Sequence, residues 1–353
     1  MRLAVGLFKI NTQATQNIAV STRVDYVKAA AEELKRYTDD LEKTFSKPDD
    51  LPLRAVFLAP EYSFARSLPQ QFGDHTFGQK RQIEEDYVKD TLRPTFEALS
   101  KNFRNALIVP GTVAWRKSIV PSTPGKHASI QEAEEYRREK YGDRILSAVD
   151  INMDMGNIFG VDTPVFPPQF QKPADMRPTL PTARTKFRAI QTAHYIAKNT
   201  AHCYYNGDCI YKYNKIGDFY EVSEDTDDTV IVPNRESKVS GTTVAAGRFK
   251  VEGLDVGISI CYDQSLSVQS GPTLQIVEPL QKTADPVDIH ILLSAHITPN
   301  TDLANLKPGG MMMSCSSNSE CNAVLVFGGL PLKPHKQLNI KGVAKLDVYQ
   351  IWA

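Results

Sequence analysis

The sequence predicts an α/β fold, and three observations carry the prediction. Two apolar runs, LRAVFLAP at 53–60 and ALIVPGTVAW at 106–115, are continuous enough to be strands buried on both faces. A segment with helical spacing of its apolar residues precedes each of them. The resulting strand–helix–strand–helix–strand order is that of layered α/β proteins.

The opening MRLAVGLFKINTQ alternates Leu3, Val5 and Leu7 and reads as the first strand. Lys9 interrupts the run and no small-residue cleavage site follows, so a signal peptide is not expected. Over 21–45, Val24, Val27, Ala31, Leu34 and Leu41 share one helical face, with Thr22 and Asp25 as a capping arrangement at its start. A second helix is expected over 82–100 from Ile83, Tyr87, Val88, Leu92, Phe96 and Leu99, kinked or split at Pro94.

After 115 the pattern breaks. Residues 116–140 are polar, the run EAEEYRREKYGDR at 132–144 reads as a solvated helix face, and 164–181 holds six prolines. About 116–200 is therefore read as an insertion or long excursion from a single domain spanning 1–353. Strands resume at HCYYNGDCIYKYN (202–214), where NGD supplies hairpin chemistry. Two more are expected in 242–261 around Glu252-Gly253, then DIHILLSAHI (288–297), NAVLVFGG (322–329) and a last strand near 340–351. The MMMS run at 311–314 reads as packing or a pocket wall.

Composition narrows the function classes. A chain of 353 residues with 41% hydrophobic and 23% charged residues has ample material for a core. Forty-one basic and 41 acidic side chains cancel, which gives no electrostatic reason to expect nucleic acid or an anionic membrane as partner. No run of about 18 apolar residues occurs, so no membrane-spanning helix is expected. Five cysteines, an odd number without a dense framework, fit free thiols in a reducing compartment, and a cytoplasmic protein is expected.

The positions that point to chemistry are those where a buried strand ends on a reactive side chain, because ligands gather at strand C-termini in α/β sheets. Three stretches qualify: FLAPEYSF with Glu61, IYKYNKIGD with Lys215, and GISICYDQS with Cys261. Together they resemble the carbon–nitrogen hydrolase family, also called the nitrilase superfamily, which carries Glu, Lys and Cys in this chain order. The matching contexts are Pro60-Glu61, Tyr213-Asn214-Lys215 and Ile260-Cys261-Tyr262-Asp263. Gln264-Ser265-Leu266 departs from that pattern, and 116–200 has no counterpart in it.

The resemblance implies a four-layer α-β-β-α sandwich, commonly assembled as a homodimer, that acts on small-molecule amides or related compounds. It also implies a further, substrate-orienting glutamate after the lysine, for which Glu221 is preferred over Glu224. The chemistry fits these residue types. A free thiol, with a pKa of about 8.5, is mostly protonated at neutral pH and needs a base, for which Glu61 is the candidate. Lys215 and the backbone N–H of Tyr262 are the candidate donors to an oxyanion. No metal or organic cofactor is required, and no GxGxxG, P-loop or HExxH pattern occurs.

Competing readings are specific. Taken alone, Cys261 would be a small core hydrophobe and Glu61 a solvated loop carboxylate. Lys212 competes with Lys215, but strand alternation sends the two to opposite faces. Cys203-x5-Cys209 and Cys315-x5-Cys321 are too widely spaced for an ordinary zinc site and read as reduced thiols. A cysteine–histidine hydrolase would need His290 or His296 beside Cys261. Alternatives to a small-molecule amidase are a non-catalytic member of the same fold that binds a protein partner through 116–200, and a deamidase of a protein side chain. Cys261→Ala and Lys215→Ala are expected to remove turnover from a protein that still folds, both residues being at strand ends.

Overall fold

The first strand is apolar from Leu3 to Phe8 because both of its faces are covered. In the computed structural model of the chain, which describes residues 2–11, 18–44, 53–65, 83–118, 195–215, 229–231, 247–265, 267–269, 277–295, 297–317 and 323–352, that strand is β1 (Arg2–Lys9). It is followed by α1 (Val20–Thr44), β2 (Ala55–Leu58), α2 (Arg93–Asn102), β3 (Ala106–Val109) and β4 (Thr112–Ser118). Next come β5 (Tyr195–Tyr205), β6 (Asp208–Asn214), β7 (Gly247–Val251) and β8 (Leu254–Ile260). The chain closes with β9 (Val287–Ser294), β10 (Leu306–Ser316), β11 (Val324–Phe327), β12 (Lys336–Ile340) and β13 (Ala344–Trp352).

Two sheets result. The first runs β12-β13-β1-β2-β3-β5-β4, with β6 added on β5; the second runs β11-β10-β9-β8-β7. Leu3, Val5 and Leu7 of β1, with Leu58 and Val109, meet Val256, Ile258, Ile260, Ile291 and Met313 in one core between the sheets. The alternate residues of the first sheet, Ala4, Phe8, Phe57 and Ile108, pack instead under Val24, Val27 and Leu34 of α1 and Phe96 and Leu99 of α2. The α/β class is as the sequence predicts, with helix, sheet and sheet as successive layers. Outside the second sheet Leu292, Met312 and Val326 form a further apolar cluster with Ala304. Among the described residues, α1 and α2 both lie on the first sheet, so the α-helices of an expected fourth layer are not among them.

Several local expectations are corrected. α1 begins at Val20, with Ala19 O accepting from Arg23 N, so Thr22 lies inside the first turn and is not its cap. The second helical segment is split as Pro94 requires: the turn Val88–Leu92 widens to π-helical form just before the α-helix restarts at Arg93. The run 106–115 is two strands, not one, because Pro110-Gly111 breaks the ladder and Gly111 takes a φ of +94°. The MMMS run belongs to β10, a strand not anticipated, and Met311–Met313 are buried. The excursion is narrower than 116–200. β4 continues to Ser118 and β5 starts at Tyr195, and these two residues are themselves paired, antiparallel, in the ladder. The hairpin turns are as expected, with Asn206 and Gly207 at φ 50° and 101°, and Glu252 and Gly253 at 49° and 80°.

His290 sits on β9 facing away from the inter-sheet core, its Nε2 3.0 Å from Ser259 Oγ and its Nδ1 without a hydrogen-bond partner. Burial first, and the Arg248 charge second, push its pKa down to about 3. Between that value and the ordinary 6.5 the unfolded chain binds a proton the folded chain refuses, so this group's contribution is lost as pH falls through that window. His202, held down to about 3 by burial and then by Lys212 and Arg93, acts in the same direction. Stability in denaturant is therefore expected to fall steeply below pH 6.5. In His290→Leu the slope, taken against the variant's own stability at neutral pH, should flatten by up to about 1.4 kcal/mol per pH unit. An unchanged slope would mean that His290 is protonated in the folded protein.

Candidate active site

The site is assembled where strands of both sheets end. β2 runs into Ala59-Pro60, and the chain then turns back on itself: Tyr62 takes a φ of +58°, its N–H donates to Thr112 Oγ1 at 2.9 Å, and Ser63 Oγ donates to Pro60 O at 2.8 Å. This turn puts Glu61 entirely inside, at 0% exposure. Glu61 is thus not a solvated loop carboxylate. Its backbone N–H donates across to the second sheet, to Ser294 O at the end of β9, at 3.3 Å.

Lys215 follows β6 and is 1% exposed, whereas Lys212, on the other face, is exposed. Its Nζ lies 3.0 Å from Glu61 Oε1 and 5.9 Å from the centre of the Tyr62 ring. A second donor, Asn199 Nδ2, reaches the same Oε1 at 2.9 Å, while Glu61 Oε2 has no hydrogen-bond partner. Charges this deep are tolerated when paired and hydrogen-bonded. Asn199 was not anticipated. Regular extension of the hairpin from Asn206-Gly207 sets Asn199 opposite Asn214, but the ladder shifts by one residue between Cys203 and Tyr204, so that Thr200 pairs with Asn214 and Asn199 comes beside Lys215. No local pattern in the sequence marks that bulge, so nothing there points to Asn199.

Cys261 closes β8, is 5% exposed, and adopts a φ of +49°. A non-glycine residue in the left-handed region costs roughly 1–2 kcal/mol, and such strain concentrates at functional sites. Cys261 opens the short 3-10 turn Cys261–Ser265. Inside that turn Asp263 is fully buried and accepts from Tyr213 Oη at 2.9 Å, which ties the Cys261 turn to the strand that leads to Lys215. Gln264 is an anchor: its Nε2 donates to Asn300 O at 2.9 Å and its Oε1 accepts from Asn300 N at 3.3 Å.

Two tethers bring the three stretches together. β8 and β9 are parallel and their ladder ends with Ile260 beside Leu293, one residue before Cys261 and before Ser294, whose carbonyl holds Glu61 N–H. The Glu61 turn is thus tied to the end of β9, the strand next to the one that leads into Cys261. The Tyr213–Asp263 bond closes the other side, two residues from Lys215. Tyr262 contributes its backbone to the same turn. Its side chain, together with Glu221, Glu224, Leu266 and His296, lies outside the described residues.

Three other thiols, Cys203, Cys209 and Cys315, are among the described residues. Cys203 faces the inter-sheet core and its pKa is pushed well up by burial. Cys315 is likewise raised by burial, its Sγ 2.9 Å from Phe8 O. Cys209 packs on the helix side of the sheet, so Cys203 and Cys209 stand on opposite faces and do not converge on a metal. Among the described residues no group of three or more His, Cys, Asp and Glu side chains is placed to hold one. His290, on the outer face of its sheet, is not a partner for Cys261. No helix among the described residues is long and apolar enough to cross a membrane.

Fold and site define an α/β protein of two facing sheets with a buried Glu–Lys pair at the strand ends beside a cysteine turn. Its structural neighbours are members of the nitrilase superfamily. They include a mutant of an amidase from Nesterenkonia AN1 (TM-score 0.43, 11% identity, covering 99% of this chain and 90% of that one). Another is Nit3 of Saccharomyces cerevisiae, a member of branch 10 of that superfamily (TM-score 0.37, 12% identity, 99% and 89% covered). No sequence-family profile and no curated protein matches the chain.

Proposed function

We propose that the chain is a cysteine-dependent hydrolase of non-peptide carbon–nitrogen bonds, amidase-like, with Glu61, Lys215 and Cys261 as its catalytic residues. The observation that carries this reading is the division of labour on Glu61. One carboxylate oxygen holds Lys215 at 3.0 Å, and the other is buried without a partner. A carboxylate fixed by one oxygen and free at the other is a base waiting for a proton.

In the first step Glu61 Oε2 takes the Cys261 thiol proton as Sγ bonds to the amide carbon. The carbonyl electron pair moves to oxygen, where Lys215 Nζ and the Tyr262 backbone N–H are the donors. Collapse breaks the carbon–nitrogen bond, and Glu61 returns its proton to the departing ammonia or amine, leaving a thioester. Water then gives a proton to Glu61 and its oxygen to the thioester carbon, and the thiolate leaves, taking that proton back. The left-handed Cys261 conformation, a strained one for a non-glycine residue, supports a functional role for this position. Glu221 is the proposed substrate-orienting carboxylate, on the family resemblance.

Iodoacetamide tests the reading without a known substrate. Cys261 should be alkylated near neutral pH at least about tenfold faster than the partly exposed Cys209, the thiolate being the reactive form. Peptide mass mapping locates the adduct, and Cys261→Ala should lose it. Equal labelling of the two thiols, or none at 261, would remove the activated nucleophile and the proposal with it. An acyl adduct on Cys261 after exposure to cell extract would name the substrate class by its mass.

A further inference from the structure

Asn199 belongs to none of the three motif stretches, yet it is fully buried and holds the same carboxylate as Lys215. A carboxylate can only accept, so the amide face turned to Glu61 must be the NH2 group, and Oδ1 must point away. Oδ1 is then buried without a donor. An acceptor left so carries a desolvation penalty that an apolar side chain at 199 would avoid. The same residue's carbonyl accepts from Lys215 N at 2.8 Å, so Asn199 grips the lysine's backbone as well as the glutamate's side chain.

We propose that Asn199 is a positioning residue for Glu61: with Lys215 it saturates Oε1, so that proton transfer to and from Cys261 is confined to Oε2. The inference rests on the reading of Glu61 as the base. Lysine alone does not fix which oxygen it meets, because its ammonium is a point charge with rotatable donors. The planar amide supplies the direction. Without it the carboxylate is free to rotate and present either oxygen, or both, to the lysine.

The test is the pH profile of Cys261 alkylation by iodoacetamide in wild type, Asn199→Leu and Asn199→Asp. Losing a donor to the ionised carboxylate should move the acid limb of the Asn199→Leu profile up by about one pH unit and slow its plateau about tenfold. Asn199→Asp sets a second carboxylate against Oε1 and should move the limb further in the same direction. Because that change preserves shape, it carries the test if the leucine variant does not fold. A lowered melting temperature with an unmoved limb would overturn the positioning role and leave the base reading intact. A wild-type Cys261 no more reactive than Cys209 would instead overturn the base reading, and this inference with it.

Discussion

Lys215→Met is expected to destabilise the fold by about 3–5 kcal/mol and to cost at least about 100- to 1,000-fold in thioester formation, although it exchanges one linear side chain for another. The cause is what remains. Glu61 is 0% exposed, its Oε2 is already unpartnered, and among the described residues the cation paired with it is Lys215 at 3.0 Å. Asn199 stays as a donor but brings no charge. Breaking a buried pair on one side leaves an uncompensated carboxylate, whereas neutralising both sides does not. Lys215→Met/Glu61→Gln should therefore recover most of the lost stability and none of the activity. Denaturant midpoints of the two proteins measure the first claim, and Cys261 alkylation the second. A single variant as stable as wild type would mean that the Glu61–Lys215 pair is not formed in the folded protein. The expectation that a lysine at a strand end can be removed without cost fails because this strand end is inside.

What the sequence revealed, and what it hid, follows from the range over which each interaction acts. β1 and β2 were legible because each is an apolar run between the inter-sheet core and the helix-covered one, and β9 because Ile289, Ile291 and Leu293 face the inter-sheet core while Leu292 packs in the outer cluster. The two hairpins were legible from Asn206-Gly207 and Glu252-Gly253, where side-chain chemistry and φ agree locally. β10 was hidden, since LKPGG at its start reads as a loop and nothing local shows that Met311–Met313 lie between neighbouring strands. Glu61, Lys215 and Cys261 were singled out as candidates through their neighbours in sequence. Asn199 was not, because its meaning comes from a carboxylate 138 positions away. Gln264 is similar: its departure from the family pattern is answered by its bonds to Asn300, 36 residues on.

Gly111→Ala should be the most damaging change that leaves every candidate catalytic residue in place. Gly111 has a φ of +94°, and an added Cβ would lie 2.4 Å from Pro60 O and 2.4 Å from Ser63 Oγ. Those atoms belong to the turn that aims Glu61, and Pro60 O is already engaged by Ser63 Oγ at 2.8 Å and by Thr112 N at 3.4 Å. Left-handed strain of roughly 1–2 kcal/mol and overpacking of roughly 1–3 kcal/mol add in the same place, for an expected loss of about 2–5 kcal/mol. Gly253→Ala separates the two terms, since Gly253 has a φ of +80° but nothing within 4 Å of the added carbon. It should pay the backbone strain alone and keep full Cys261 reactivity. Gly111→Ala should lose that reactivity even in the fraction that folds, because relieving the clash moves Pro60–Ser63 and swings Oε2 away from the thiol. Equal losses of stability in the two variants, with Cys261 still reactive in both, would show that the Pro60–Ser63 turn yields freely and does not set the position of Glu61.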